Sequence, residues 1–264
     1  PGKPGGKTVA ELEALIKKAN QDRVKLSKQQ MSEMESKLSE LQGKARRAEA
    51  FEQSVRIASA RQRRLLPAKP PDVPGAEMGI VYRPAEQLSG DFYDFVSFPD
   101  GRLGFIIGDV SGHGIEAGIL MGMAKKVLTL RLEECGRPDT TLLQANRDLF
   151  RELDRQTFVT AFVAVFDPVH RTLTTARAGH NPPLLFNPAR DPHILKIEDG
   201  GLGLGMSTGE IFEKILTTQS ISIQRDDVLL LYTDGLVEAR NQAGEEFGIE
   251  RIVASFEETI GRPT

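Results

Sequence analysis

Three short segments of this chain place a carboxylate beside a glycine at the end of an apolar or β-forming run. They are LSGDFYDF around Asp91, FIIGDVSGHG around Asp109 and LLLYTDGLVEA around Asp234. A carboxylate at the end of a buried strand is costly unless its charge is compensated. Three of them in one domain would also repel one another. Divalent cations remove that conflict, and hard oxygen ligands favour Mg2+ or Mn2+ over zinc. The adjacent glycines let the backbone pack closely and leave carbonyls free to coordinate. Each segment alone is weak, because an isolated Asp-Gly is most often a turn; the repetition carries the signal.

Other chemistries fit these residues less well. The turn GDVSGHG lacks the Lys-Ser/Thr of a Walker loop, and GxGxxG is absent. Asp109 would also set a negative charge where a phosphate should lie. Cys135 has no charged partner to activate it and reads as a free thiol at a helix end. His113 reads first as a turn or helix-start residue, with contact to a phosphate or a metal-bound water as the alternative. His180 reads first as a turn-setter before two prolines, with a hydrogen bond that shapes the site as the alternative. His170 and His193 read as exposed turn or strand positions. Asp94 divides evenly between a water-mediated reach to a metal and a solvated strand position. Glu238 and Asn241 receive no chemical role, and Met121 and Met123 read as helix packing.

The elements that must position these groups follow from periodicity. Residues 8 to about 66 hold no proline and one glycine, Gly43, and are rich in good helix formers. Thr8 and Glu11 have capping-box spacing. Apolar or small residues recur at Val9, Leu12, Ile16 and Ala19, then at Met31, Met34, Leu38, Leu41, Ala45, Ala48 and Val55, with a skip near 23–31. So narrow a stripe suits a two-stranded coiled coil, and the PAKPPDVPG segment ends it. Beyond residue 76 the pattern changes to short apolar runs. EMGIVYRPA, FYDFVSF, RLGFIIGDV, TFVTAFVAVFD, RTLTTARAG, PPLLFN, HILKIE, EKILTTQSISI and DDVLLLYTDG read as strands. Helices are expected over 113–134 and 139–154 and in EEFGIERIVASFEETI. Many antiparallel strands with helices in blocks predict an α+β fold of two packed sheets with helices outside.

The ordered set GDFYD, GDVSGHG, AGHNPP, GLGLG, YTDGLVEA and FG resembles the metal-dependent (PPM-type) serine/threonine protein phosphatases. It is similar in particular to their bacterial branch, typified by the stage II sporulation protein E and the RsbU regulator. ASARQRRLLP (58–67) resembles that branch as well, and the likeness covers about residues 56–250. It implies an α-β-β-α sandwich of two antiparallel sheets. It also implies two Mn2+ or Mg2+ ions, with Asp91 matching the first-motif ligand, Asp109 bridging both ions, the Val110 carbonyl as a further ligand and Asp234 holding the other ion. The implied reaction is attack by a metal-activated water on phosphoserine or phosphothreonine, without a protein nucleophile. The implied substrate is a signalling protein such as a STAS-domain anti-sigma-factor antagonist of a partner-switching circuit. A fourth family aspartate falls in a strand after the last helix. The sequence stops at Thr264 before that strand, so the expected organisation is a disordered linker or tag at 1–7, a coiled-coil signalling linker at 8–66 and a phosphatase domain at 67–264 lacking its C-terminal strand. A different class stays open beside this one: a non-catalytic interaction module of the same fold.

Bulk properties narrow the partners. Residues 1–70 carry 16 Lys and Arg against 8 Asp and Glu, and the remainder 18 against 29. The basic residues of the first part are spread among Glu, Gln and Ser with few aromatics, which predicts a solvated helix face. The acidic remainder disfavours nucleic acid and suits a site that collects cations. No segment has the roughly 18–20 continuous apolar residues of a membrane span, and the first residues lack the apolar core of a secretory signal. One cysteine excludes an intrachain disulfide. A cytoplasmic protein, homodimeric through its N-terminal helix, is expected.

Overall fold

The computed structural model describes residues 8–260, apart from the side chains of 259 and 260. The expected linker or tag at 1–7 lies outside the described residues, as do 261–264. The chain forms two units, 1–54 and 55–264.

Helix α1 (Val9–Arg63) opens at the expected capping box: the Thr8 amide donates to Glu11 Oε2 at 2.8 Å and the Glu11 amide to Thr8 Oγ1 at 3.4 Å. Within 8–54 its apolar side chains, among them Leu12, Ile16, Met31, Met34, Leu38 and Leu41, are exposed. Its last turns belong to the larger unit, where Gln62 and then Leu66 are buried.

The larger unit contains β1 (Phe92–Ser97), β2 (Leu103–Val110), α2 (Gly114–Cys135), α3 (Pro138–Glu152), β3 (Val159–Asp167), β4 (Thr172–Ala178), β5 (Leu184–Phe186), β6 (Ile194–Lys196), α4 (Gly209–Ile215), β7 (Thr218–Ser222), β8 (Val228–Leu230), α5 (Asp234–Val237) and α6 (Gly248–Ile260). Two antiparallel sheets result, in the orders β1-β2-β3-β4-β7 and β6-β5-β8. Strand periodicity assigns each side chain to a layer. In β3, Val159, Ala161, Val163 and Val165 face a core shared with Met121, Leu128 and Leu132 of α2 and Leu142 and Leu149 of α3. Phe162 and Ala164 of the same strand face Leu185 of the small sheet, with Leu173, Ile197 and Ile221 in the same layer. That two-sided burial explains why β3 reads as a continuous apolar run. Leu184, Tyr232 and Ile252 form a third cluster, between the small sheet and α6. The layers are therefore helix, sheet, sheet, helix, as the pattern predicts.

α2 and α3 pair because the link between them is minimal. Gly136 takes a left-handed φ of 62° as its amide caps the Leu132 carbonyl at 2.9 Å, and Pro138 opens α3 at once. Two segments depart from expectation. EMGIVYRPA keeps alternating burial, with Met78, Ile80 and Tyr82 half-buried and Gly79, Val81 and Arg83 exposed, yet forms no strand. Alternation reports one apolar face; a strand also needs a ladder of backbone hydrogen bonds, and among the described residues none pairs this segment with β1. EKILTT contributes its first three residues to α4, anchored by the buried Phe212, and the strand starts only at Thr218.

Within the GLGLG segment, a Cβ on Gly201 would lie 1.9 Å from the Arg177 carbonyl oxygen. Backbone cannot yield there as a side-chain tip would. Gly201→Ala is expected to lower stability by about 2–3 kcal/mol, seen as a lower urea midpoint at unchanged slope.

Candidate metal centre

Register brings the first two carboxylates together. β1 and β2 pair from Ser97↔Leu103 to Phe92↔Gly108. One step further the same register sets Asp91 opposite Asp109, and the Val110 amide closes on the Gly90 carbonyl at 3.3 Å. Residues 105, 107 and 109 of β2 share the face turned to the small sheet, so Asp109 points between the sheets. The third carboxylate arrives from the other sheet. Leu229 and Leu231 pack into the layer between the sheets, and two residues on, Thr233 precedes the short α5 that begins at Asp234. Oxygens of Asp91, Asp109 and Asp234 all lie within 4.8 Å of one another, with Asp91 and Asp109 half-buried and Asp234 exposed.

This cluster is electrostatically unfavourable by itself. Burial, then the charges of Asp91 and Asp234, push the Asp109 carboxyl up to about 8, and Glu238 adds to the same effect. Burial raises Asp91 too, against hydrogen bonds from Thr233 and Ser89 and with the help of Asp234. Among the described residues, no lysine or arginine is a main cause of either shift. Hard oxygen donors, converged and without an internal counter-charge, fit a divalent cation of the Mg2+ or Mn2+ type. The fit extends to the backbone. A Cβ on Gly90 would meet the Val110 carbonyl oxygen at 2.5 Å and Asp109 Oδ1 at 2.6 Å, so only glycine leaves both oxygens where they are.

Several supporting residues had no assigned role in the sequence. Ser89 Oγ accepts from the Asp91 amide and donates to Asp91 Oδ2, both at 3.1 Å; the Ser-x-Asp spacing of such a turn was the available signal. The Ser111 hydroxyl accepts from the Phe158 amide at 2.9 Å and ties the glycine-rich turn to the start of β3. Thr160 Oγ1 donates to the Asp109 carbonyl at 3.4 Å and lies 3.0 Å from His180 Nδ1. His180 is buried, and desolvation lowers its pKa to about 4. It is a neutral structural group behind Asp109. His113 immediately precedes α2 without a side-chain capping hydrogen bond, and its Nδ1 lies 3.0 Å from Glu86 Oε1 on the surface. His170 pairs with Asp167, and His193 meets the Arg190 carbonyl.

Neither reading of Asp94 holds. Its side chain faces α2, buried, and accepts from Lys125 Nζ and, at 2.6 Å, from Thr129 Oγ1. Parity decides this: Asp94 shares the helix-facing side of β1 with Phe92 and Val96. It joins strand to helix and does not approach the three aspartates' face.

The sequence profile described as Stage II sporulation protein E (SpoIIE) matches residues 99–264. The chain belongs to the SpoIIE family. Among curated relatives, the phosphoserine phosphatase RsbU of Bacillus subtilis is 30% identical over 190 residues, which is 72% of this chain and 55% of RsbU. The chain thus spans about half of that relative's length. The SiaA-PP2C domain of Pseudomonas aeruginosa has the same fold, with a TM-score of 0.63 at 18% identity over 81% of this chain and 92% of that one. The PP2C phosphatase domain of SpoIIE from Bacillus subtilis aligns with a TM-score of 0.53 at 18% identity over 67% of this chain and 49% of that one. SpoIIE membership agrees with the two-sheet sandwich.

Proposed function

We propose that this SpoIIE-family chain is a Mn2+- or Mg2+-dependent protein phosphatase acting on phosphoserine or phosphothreonine of a signalling protein. The convergence of Asp91, Asp109 and Asp234 carries the reading, and the naming of RsbU as a phosphoserine phosphatase supports it. Asp91, Asp109, Asp234 and the Val110 carbonyl would hold the ions, Asp109 bridging two of them. Bound divalent ions supply an acidified water and offset charge on a phosphoryl group. The chain's own residues hold the ligands still: Ser89 and Thr233 fix Asp91, Thr160 fixes the Asp109 backbone, and Gly90 leaves room for both. No protein nucleophile is needed, and Cys135 lies at the far end of α2 with its thiol pKa raised, by burial first.

To serve as a ligand Asp109 must be ionised, and its carboxyl is pushed up to about 8. At pH 7 Mn2+ binding is expected to release protons, read as titration heats that change with the buffer's ionisation enthalpy. Heats independent of buffer would count against Asp109 as a ligand.

The substrate in this proposal is a phosphorylated anti-sigma-factor antagonist, a STAS-domain protein, and the place of action the cytoplasm. Residues 8–66 act as a dimerising linker through the exposed apolar seam that includes Leu12, Ile16, Met31, Leu38 and Leu41. Deleting residues 1–55 is expected to give a monomer in sedimentation and to change turnover several-fold; an unchanged association state and rate would remove the linker's role. The activity itself is tested with a phosphoserine peptide and Mn2+. Mn2+ binding without turnover would favour an interaction module instead.

A further inference from the structure

The buried Gln62 has no place in the chemistry above. Only 6% exposed at the end of α1, its carboxamide makes three of the four hydrogen bonds open to it. Nε2 donates to the Ser89 carbonyl at 3.0 Å and to the Gly118 carbonyl of α2 at 2.9 Å, and Oε1 accepts from the Ser89 amide at 3.2 Å. The side chain therefore pairs with the Ser89 peptide as a neighbouring strand would. It also joins that peptide to the helix that follows the Asp109 turn.

Gly118 explains how the amide gets there. Glycine inside a helix costs about 1 kcal/mol relative to alanine. A Cβ at this position would lie 2.9 Å from Gln62 Nε2 and 2.8 Å from Leu88 Cβ. The glycine opens the path to its own carbonyl. From Ser89 the restraint passes directly to a proposed ligand, because Ser89 Oγ holds both the amide and Oδ2 of Asp91. Gly90, between them, is fixed from the other side by the Val110 amide.

We propose that Gln62 is a positioning residue for the metal centre: its carboxamide clamps the Ser89 peptide to α2 and so sets Asp91 against Asp109. This rests on the reading of Asp91, Asp109 and Asp234 as ligands. Outer groups that orient ligands are worth about 10–100-fold in metal affinity, and Gln62 acts at one remove, through Ser89.

The test is Mn2+ affinity by calorimetry on the full chain, with urea stability in EDTA measured alongside. Gln62→Met keeps the length and removes the three hydrogen bonds. It is expected to weaken Mn2+ binding about tenfold. Ser89→Ala leaves Gln62 bonded to the backbone but cuts the direct link to Asp91; it is expected to weaken binding at least as much, about tenfold or more, and it decides the matter if Gln62→Met does not fold. Leu173→Ala is the control for a merely structural role. Leu173 is buried opposite Phe166, at the other end of the large sheet from Asp109, so this variant is expected to lose stability and keep its Mn2+ affinity. Should Gln62→Met behave as Leu173→Ala does, or Ser89→Ala bind Mn2+ like the unaltered chain, the clamp is wrong while the metal centre stands. If the unaltered chain binds no Mn2+ and Asp109→Asn makes no difference, both fall.

Discussion

Asp109→Asn is expected to lower Mn2+-dependent hydrolysis of a phosphoserine peptide on the order of 10³-fold, and to make the metal-free protein more stable at pH 8. The two effects have one origin. In the folded chain the Asp109 carboxyl titrates at about 8, against an ordinary value of 3.8, because it is partly buried beside Asp91 and Asp234. Between those two pH values the native state holds a proton that the unfolded state has released. Stability is therefore fully present below about 4 and declines as pH rises toward 8. Asparagine cannot ionise and escapes that decline. Allowing for partial exposure and screening, the variant should gain on the order of 1–3 kcal/mol at pH 8 and little at pH 4. Urea melts in EDTA at the two pH values, with turnover in Mn2+, measure both. A variant that keeps its activity, or that is no more stable at pH 8, would show that position 109 is not the strained centre of the cluster.

Gly90→Ala carries the next largest effect. The backbone angle at Gly90 is not among the left-handed ones, so conformation alone permits alanine. Space does not: the new methyl would stand 2.5 Å from the Val110 carbonyl oxygen, 2.6 Å from Asp109 Oδ1 and 3.1 Å from the Val110 amide. Either the last rung between β1 and β2 opens, or the Asp109 carboxylate turns away. We expect a loss of about 100-fold in kcat/KM, and about 1–3 kcal/mol of stability. Part of the activity should return at high Mn2+, because the damage is to ion binding. Gly235 is the matched control. It also adjoins a site aspartate, but a Cβ there meets nothing within 4 Å, so Gly235→Ala is expected to fold and turn over nearly as the unaltered chain does. Equal losses at both positions would mean that glycine flexibility, and not the space beside Asp109, is what the site requires.

Gly90 and Gly235 mark how far sequence alone reaches. In the sequence they are alike, each a glycine next to an acidic residue; the structure packs one against two oxygens and leaves the other open. The same holds for carboxylates. Asp91 and Asp94 lie three residues apart on one β-run, yet β-pleating sends the first toward the small sheet and the second into an ion pair with Lys125.

Local chemistry was decided by the sequence itself. The capping box of α1, the αL glycine and proline between α2 and α3, the doubly apolar β3 and the three Asp-Gly neighbourhoods each depend on residues a few positions apart, and such preferences are encoded where they act. The family likeness rested on motifs of this kind. Tertiary structure alone decided which elements are partners. It denied 77–85 a strand for want of a neighbour. It put Gln62, a polar residue in a polar helix, against a peptide 27 positions away, and it delivered Asp234 from the second sheet to Asp91 and Asp109 of the first. Hydrogen-bond pairing and charge repulsion act through space, so distances along the chain cannot report them.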